Sequence, residues 1–146
     1  MTQTQDQIDR IRVLSLLERL VVGLRTFIPE EKQIQMDIQG DDVELSGSQA
    51  RAVAMVVNEL ITNALEHAFD GLDAGAIRIS VCAGKLFHTI TVSDNGNGLP
   101  PDFSGKNRWG LRIAETTVRS KLKGNFSVYS NSNGTQVSFD IKKEIL

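Results

Sequence analysis

Apolar residues recur at steps of three and four through Ile8, Ile11, Leu14, Leu17, Val21 and Leu24, which predicts a helix over residues 6–28 that Pro29 stops. Ile34, Met36 and Ile38 then alternate with Gln33, Gln35, Asp37 and Gln39, the period of a half-buried strand. Gly40, Asp41 and Asp42 are turn formers, and Val43 to Leu45 reads as a short return strand. Ser46 opens a second helix, with Gln49 three residues on as the partner of a capping box. Val53, Val56, Val57, Leu60, Ile61, Ala64, Leu65 and Ala68 give that helix a broad apolar face until Asp70–Gly71 ends it. Two alternating strands follow, Ile77 to Cys82 and Leu86 to Ser93, joined by a turn at residues 83–85. A third helix is predicted from Gly110 to Lys123, stopped by Gly124. Phe126 and Val128, then Val137, Phe139 and Ile141, form a last hairpin around Asn133–Gly134.

Helices and strand pairs in this order predict an α+β fold, a two-layer sandwich with the helices on one face of a mixed sheet. The chain has 146 residues, which fits a single domain over 1–146 with a core of its own. With 16 Lys+Arg against 18 Asp+Glu and no basic run, a nucleic-acid partner is not expected. Cys82 is the only cysteine, so neither a disulfide nor a Cys-based zinc site is expected, and a reducing compartment follows. The polar start, MTQTQDQIDRIRV, is neither a signal nor a transit peptide, and no apolar run reaches the length of a membrane span.

Four segments carry candidate chemistry. In NELITNALEHAF, residues 58–69, Glu59, Asn63 and His67 are spaced four apart, which places them on one helical stripe. A carboxylate, a carboxamide and an imidazole in line can accept a proton, ligate a hard cation and touch an anion. Most such stripes are solvated polar faces. Asn58, Thr62 and Asn63 are costly choices for a plain helix, however, and the stripe borders Val56, Leu60 and Ala64, at the edge of a core. Asp94-Asn95-Gly96-Asn97-Gly98 follows a strand. Its glycines allow close approaches and its acid can accept from an exocyclic amine, although the same residues make ordinary turns. It lacks the third glycine and the following helix of a dinucleotide fingerprint, and Gly105–Lys106 lacks the context of a P-loop. Lys106 and Arg108 precede Gly110, where a helix N-terminus suits phosphate; a surface loop with ordinary charges is the alternative. Asn133-Gly134-Thr135 by itself is a hairpin turn.

In this order the four pieces resemble the ATP-binding (Bergerat) domain shared by sensor histidine kinases, DNA gyrase B, MutL and the large heat-shock chaperones. NELITNALEHAF is similar to the N box, DNGNGLP to the G1 box, WGLRIAE to the G2 box and NGTQVSF to the final Gly-Thr motif. The resemblance covers about residues 30–141 and is nearest to the histidine-kinase branch, whose N box opens on Asn-Glu-Leu and closes on His-Ala-Phe. It implies a mixed, mostly antiparallel sheet with three helices on one face. It implies ATP and Mg²⁺ as cofactors, with Asn63 ligating the metal and Glu59 as general base. His67 and Glu66 would lie by the phosphates, and Asp94 would bind the adenine amino group with Gly96 and Gly98 making room for the ring. Gly110 and Leu111 would open the helix under the phosphates, and Thr135 would support Asp94. Residues 99–109 would be the ATP lid, with Lys106 and Arg108 as candidate γ-phosphate contacts.

Two departures stand out. Arg112 occupies the second glycine position of a Gly-Leu-Gly-Leu G2 box, and the lid is short, with Phe103 as the one remnant of a Phe-containing box. The only histidines, His67 and His88, are not placed as phosphoacceptors. The resemblance therefore implies the catalytic part of an ATP-dependent histidine kinase acting on a dimerisation segment outside this chain, with a response regulator downstream. Its implied setting is cytoplasmic, either free or as the inner part of a larger receptor, without membrane contact by this domain. Residues 1–28 would be the link from the dimerisation helices or a core-packing helix. A stand-alone anti-sigma-factor-type serine kinase of the same fold and a non-catalytic ATP-binding module are the alternatives.

Overall fold

In the computed structural model the described residues are 10–99 and 109–144, with Trp109 and Gly110 described by backbone alone. The elements run β1 (Arg10–Arg12), α1 (Val13–Leu24), β2 (Gln33–Gly40), β3 (Glu44–Ser46), α2 (Gly47–Asn63), β4 (Ala74–Cys82), β5 (Phe87–Asp94), α3 (Trp109–Thr117), β6 (Phe126–Asn131) and β7 (Gly134–Lys142). Five strands make one sheet in the order β2-β4-β5-β7-β6. Only β2 and β4, joined through α2, are parallel; every other neighbouring pair is antiparallel. The expected two-layer sandwich is therefore the observed architecture.

The core lies between the layers. Ile77, Ile79, Ile90, Phe139 and Ile141 from the sheet meet Leu17, Val53, Val57, Ile61 and Val118, all essentially inaccessible to water. The other face of the sheet is polar, with Thr89 bonded to Asp140 at 2.8 Å and Thr91 to Ser138 at 2.9 Å. This alternation is what the period-two pattern of the strands requires. No helix among the described residues is long and apolar enough to cross a membrane.

Four local expectations are corrected. The first helix does not start at residue 6 and run to 28. Residues 6–9 lie outside those described, and Arg10–Arg12 form a strand that pairs antiparallel with Glu44–Ser46. Helix α1 begins only at Val13 and gives way to a 3₁₀ turn at Arg25–Phe27. Its first amides are held from the neighbouring turn: Val13 N–H donates to Val43 O at 2.9 Å and Leu14 N–H to Asp42 Oδ1 at 3.1 Å. Ile11 fits a helical repeat, yet pairing with Leu45 buries it as well, and periodicity does not separate the two.

Secondly, Val43–Leu45 does not return along β2. Gly40, at φ +117°, lies so close to Val81 that a Cβ would overlap its carbonyl. Asp41 then latches onto the end of β4, its N–H donating to Val81 O at 2.9 Å and its Oδ2 accepting from Ala83 N–H at 2.8 Å. The chain leaves the sheet there, and β3 pairs with β1 instead. Thirdly, only half of the capping box forms. Ser46 Oγ accepts from Gln49 N–H at 3.2 Å, but the Gln49 side chain donates to Lys142 O at 2.8 Å, tying α2 to β7. Fourthly, the left-handed residue after the last helix is Lys123, at φ 56°. Gly124 is needed for a different reason, because a Cβ there would overlap Asp140 O.

Ser46→Ala removes the cap of α2 and the donor to Glu144 Oε1 at 2.9 Å. It is expected to lower stability by about 1 kcal/mol in urea unfolding, because a helix N-terminal N–H loses its partner.

Candidate functional site

The site is built around the C-terminal end of α2. Glu59 and Asn63 both lie within the regular α-helix, four residues apart, and both are half-buried. The helix then passes into a π turn over Ala64–Ala68, which buries Ala64, Leu65 and Ala68. A π turn bonds i to i+5 and so widens the helix locally. Glu59 and Asn63 share one face of the α-helical part, and His67 lies four residues further on, within the π turn. His67 and Glu66 are exposed and lie against each other, Nε2 to Oε2 at 3.6 Å. Asn58 and Thr62 are half-buried as well.

The loop after β5 is fastened to this helix end. Gly96 lies against the π turn so closely that a Cβ would overlap Ala68 O. Asn97 N–H donates to the same oxygen at 2.8 Å, and Asn97 Nδ2 donates to Asp70 O at 2.7 Å. Asn95 fixes the other side, its N–H donating to Ala76 O at 3.2 Å and its Oδ1 accepting from Ala76 N–H at 2.8 Å. Gly98, at φ +80°, leaves no space for a side chain, since a Cβ would overlap Asn131 O. At both glycines the space that a Cβ would take is filled by the protein's own backbone.

Asp94 ends β5 opposite Thr135 of β7 and is half-buried. Its Oδ1 accepts from Gly96 N–H at 2.9 Å and Thr135 N–H at 3.4 Å. Burial pushes its carboxyl above the ordinary aspartate value, and these two amide bonds oppose that only in part. Both bonds fall on Oδ1, so among the described residues Oδ2 is left as an acceptor for a ligand. The Thr135 hydroxyl bonds Ser130 Oγ at 2.9 Å, and Ser130 Oγ in turn accepts from Leu99 N–H at 2.8 Å.

The structure thus brings together the end of α2, the loop 94–98 and the β6–β7 hairpin. Leu111 is buried on α3, which packs on α2, and Gly110 lies in the first turn of α3. Lys106 and Arg108 lie outside the described residues, as does most of the expected lid. The other histidine, His88, is buried, with Nδ1 accepting from Gly84 N–H at 3.3 Å. Sequence reading missed Asn97, Ser130, Gly75 and Lys32. A Cβ at Gly75 would overlap the Phe69 ring, and Lys32 Nζ donates to Phe69 O at 2.6 Å and Leu72 O at 2.7 Å. The Asn97 and Ser130 roles have a sequence signal, since both sit in or beside the motif segments. Lys32 has none, because its partners are carbonyls nearly forty positions away.

Among the described residues there is no group of three His, Cys, Asp or Glu side chains able to hold a metal. Asn63, half-buried and without a hydrogen-bond partner among the described residues, offers one oxygen. That donor set fits a Mg²⁺ that arrives with phosphate oxygens and water, not one held in a protein cage.

The profile of the family described as histidine kinase-, DNA gyrase B-, and HSP90-like ATPase matches residues 48–145. The chain is 29% identical over 133 residues to the sensor histidine kinase PdtaS of Mycolicibacterium smegmatis, covering 88% of this chain and 27% of that protein. It is 33% identical over 112 residues to blue-light-activated histidine kinase 2 of Erythrobacter litoralis, covering 74% of this chain and 32% of that one. The solved structure of the Erythrobacter litoralis EL346 blue-light activated histidine kinase superposes with a TM-score of 0.80 at 27% identity, over 90% of this chain and 42% of that chain. The chain therefore spans about a quarter to a third of the length of these curated relatives.

Because burial raises the folded pKa of Asp94 above its unfolded value, the native state holds an extra proton in the window between the two. Stability contributed by this group thus falls as pH rises from about 4, the unfolded aspartate value, through the raised folded value. Asp94→Asn is expected to gain stability relative to the parent over that window and to level off above it. Urea unfolding across the window checks this, and a pH-independent difference would show that burial does not dominate.

Proposed function

The chain belongs to the histidine kinase-, DNA gyrase B-, and HSP90-like ATPase family, and on that footing we propose that it is the catalytic ATP-binding domain of a sensor histidine kinase. One observation carries the reading. A half-buried carboxylate with one oxygen open to a ligand sits on a loop hydrogen-bonded to the end of the helix that bears Glu59 and Asn63. An adenine amino group donates to Asp94 while the phosphates reach toward the helix face and the first turn of α3. Asn63 holds the Mg²⁺ that travels with the phosphates, and the metal supplies charge neutralisation when bound. Gly110 and Leu111 present the start of α3 to the phosphates, where free N–H groups favour anions. Glu66 and His67 flank them, and Thr135 steadies Asp94 through its N–H.

The reaction is an in-line displacement. An imidazole nitrogen of a histidine on a separate dimerisation segment forms a bond to the γ-phosphorus. The bond from that phosphorus to the β–γ bridging oxygen breaks, and ADP leaves with the electron pair. Glu59 accepts the proton that the attacking imidazole sheds. The phosphohistidine then serves a response regulator. The domain works on the cytoplasmic side of the cell, where ATP is available.

In assays with γ-labelled ATP, the chain alone is expected to remain unlabelled and to label an added dimerisation-helix fragment of its parent kinase. Labelling of His67 or His88 in the isolated chain would overturn the assignment of the acceptor. Glu59→Ala is expected to reduce transfer by about 10²–10⁴-fold, the usual contribution of a general base, while nucleotide binding is kept. Unchanged transfer removes Glu59 from the mechanism.

A further inference from the structure

The last carbonyls of a helix have no partners within it. At and just beyond the end of the π turn that follows α2, four carbonyls, those of Ala68, Phe69, Asp70 and Leu72, receive donors from elsewhere in the chain. Lys32 Nζ serves Phe69 O and Leu72 O, at 2.6 and 2.7 Å. Asn97 serves the other two: its N–H donates to Ala68 O at 2.8 Å and its Nδ2 to Asp70 O at 2.7 Å. Lys32 comes from the segment before β2, and its side chain donates to Phe69 O and Leu72 O, not to the loop 94–98. Asn97 belongs to that loop and is exposed, so its side chain fills no space in the core.

We propose that Asn97 is a positioning residue that sets the span between the Asp94 subsite and the α2 subsite, so that one nucleotide reaches both. The inference rests on the ATP-binding reading above. A ligand that touches two subsites gains from their being held at a matching distance, because the second contact forms at high effective concentration. That gain shrinks when the tie between the subsites loosens. Two donors on one residue make the tie resistant to rotation, and only the side-chain donor depends on the identity of residue 97. A ligand confined to the Asp94 subsite draws no benefit from the tie.

Mg·ATP spans both subsites, whereas adenosine reaches only the first. The test titrates the full chain with each ligand by NMR, for the parent, Asn97→Ala, Asn97→Asp and Asp94→Asn. Asn97→Ala is expected to weaken Mg·ATP by about three- to tenfold, the range that one hydrogen bond commands, and adenosine by less than about twofold. Asn97→Asp keeps the size but loses the donor, and the same selective loss is expected. Equal losses for the two ligands would mean local loosening of the loop and would overturn the positioning role alone, as would an unchanged affinity for Mg·ATP. If Asp94→Asn leaves both ligands unaffected, the adenine assignment itself fails, and this inference falls with it.

Discussion

The meeting of Gly96 with the π turn at Ala68 is the contact on which the site depends. No side chain fits between the loop and the Ala68 carbonyl, and the loop's own N–H at Asn97 bonds that oxygen. The end of the sheet and the end of the helix therefore meet backbone to backbone. Any larger residue at position 96 would push them apart, and Asp94 would leave the neighbourhood of the helix that carries Glu59 and Asn63. The π turn contributes to this arrangement, because widening the last turn of a helix changes which carbonyls face outward.

The same close approach explains the electrostatics of Asp94. Drawing the loop against the helix end takes the carboxylate partly out of water, which raises its proton affinity. Two backbone amides offset part of that cost, and both engage one oxygen. The acid is left with a preorganised acceptor on its other side. The Thr135 and Ser130 hydroxyls extend the arrangement to Leu99, so the β6–β7 hairpin holds the loop from the side opposite the helix.

The helix layer is placed by contacts of a different kind. Asp42 and Val43 meet the start of α1, and Gln49 reaches from α2 to Lys142 of β7. These are single hydrogen bonds between segments far apart in the chain. They decide where elements begin, while the apolar faces decide that the elements exist. The capping box illustrates the division: Ser46 performs its local role, and Gln49 is diverted because a carbonyl of β7 lies within reach.

Local pattern was enough to establish the layers, the strand periods, the helix faces and the four motif segments in order, since each depends on residues a few positions apart. Spacing alone put Glu59 and Asn63 on one helix face, whereas Asp94 and Thr135 stood out only through the family resemblance, because their segments read locally as turns. Tertiary structure decided what local pattern leaves open. The strand at Arg10–Arg12 exists because Glu44–Ser46 lies beside it, and Gly40 and Asp41 send the chain away from β2 because Val81 and Ala83 receive them. The helix that carries the polar stripe widens into a π turn at Ala64–Ala68, against which the loop after β5 closes. Gly96 and Gly98 prove to be places where two backbones touch, a property of the partner segment as much as of the glycine. Spacing along the chain determines which face a side chain occupies. Only the folded chain determines what stands opposite that face, and the site is made of such oppositions.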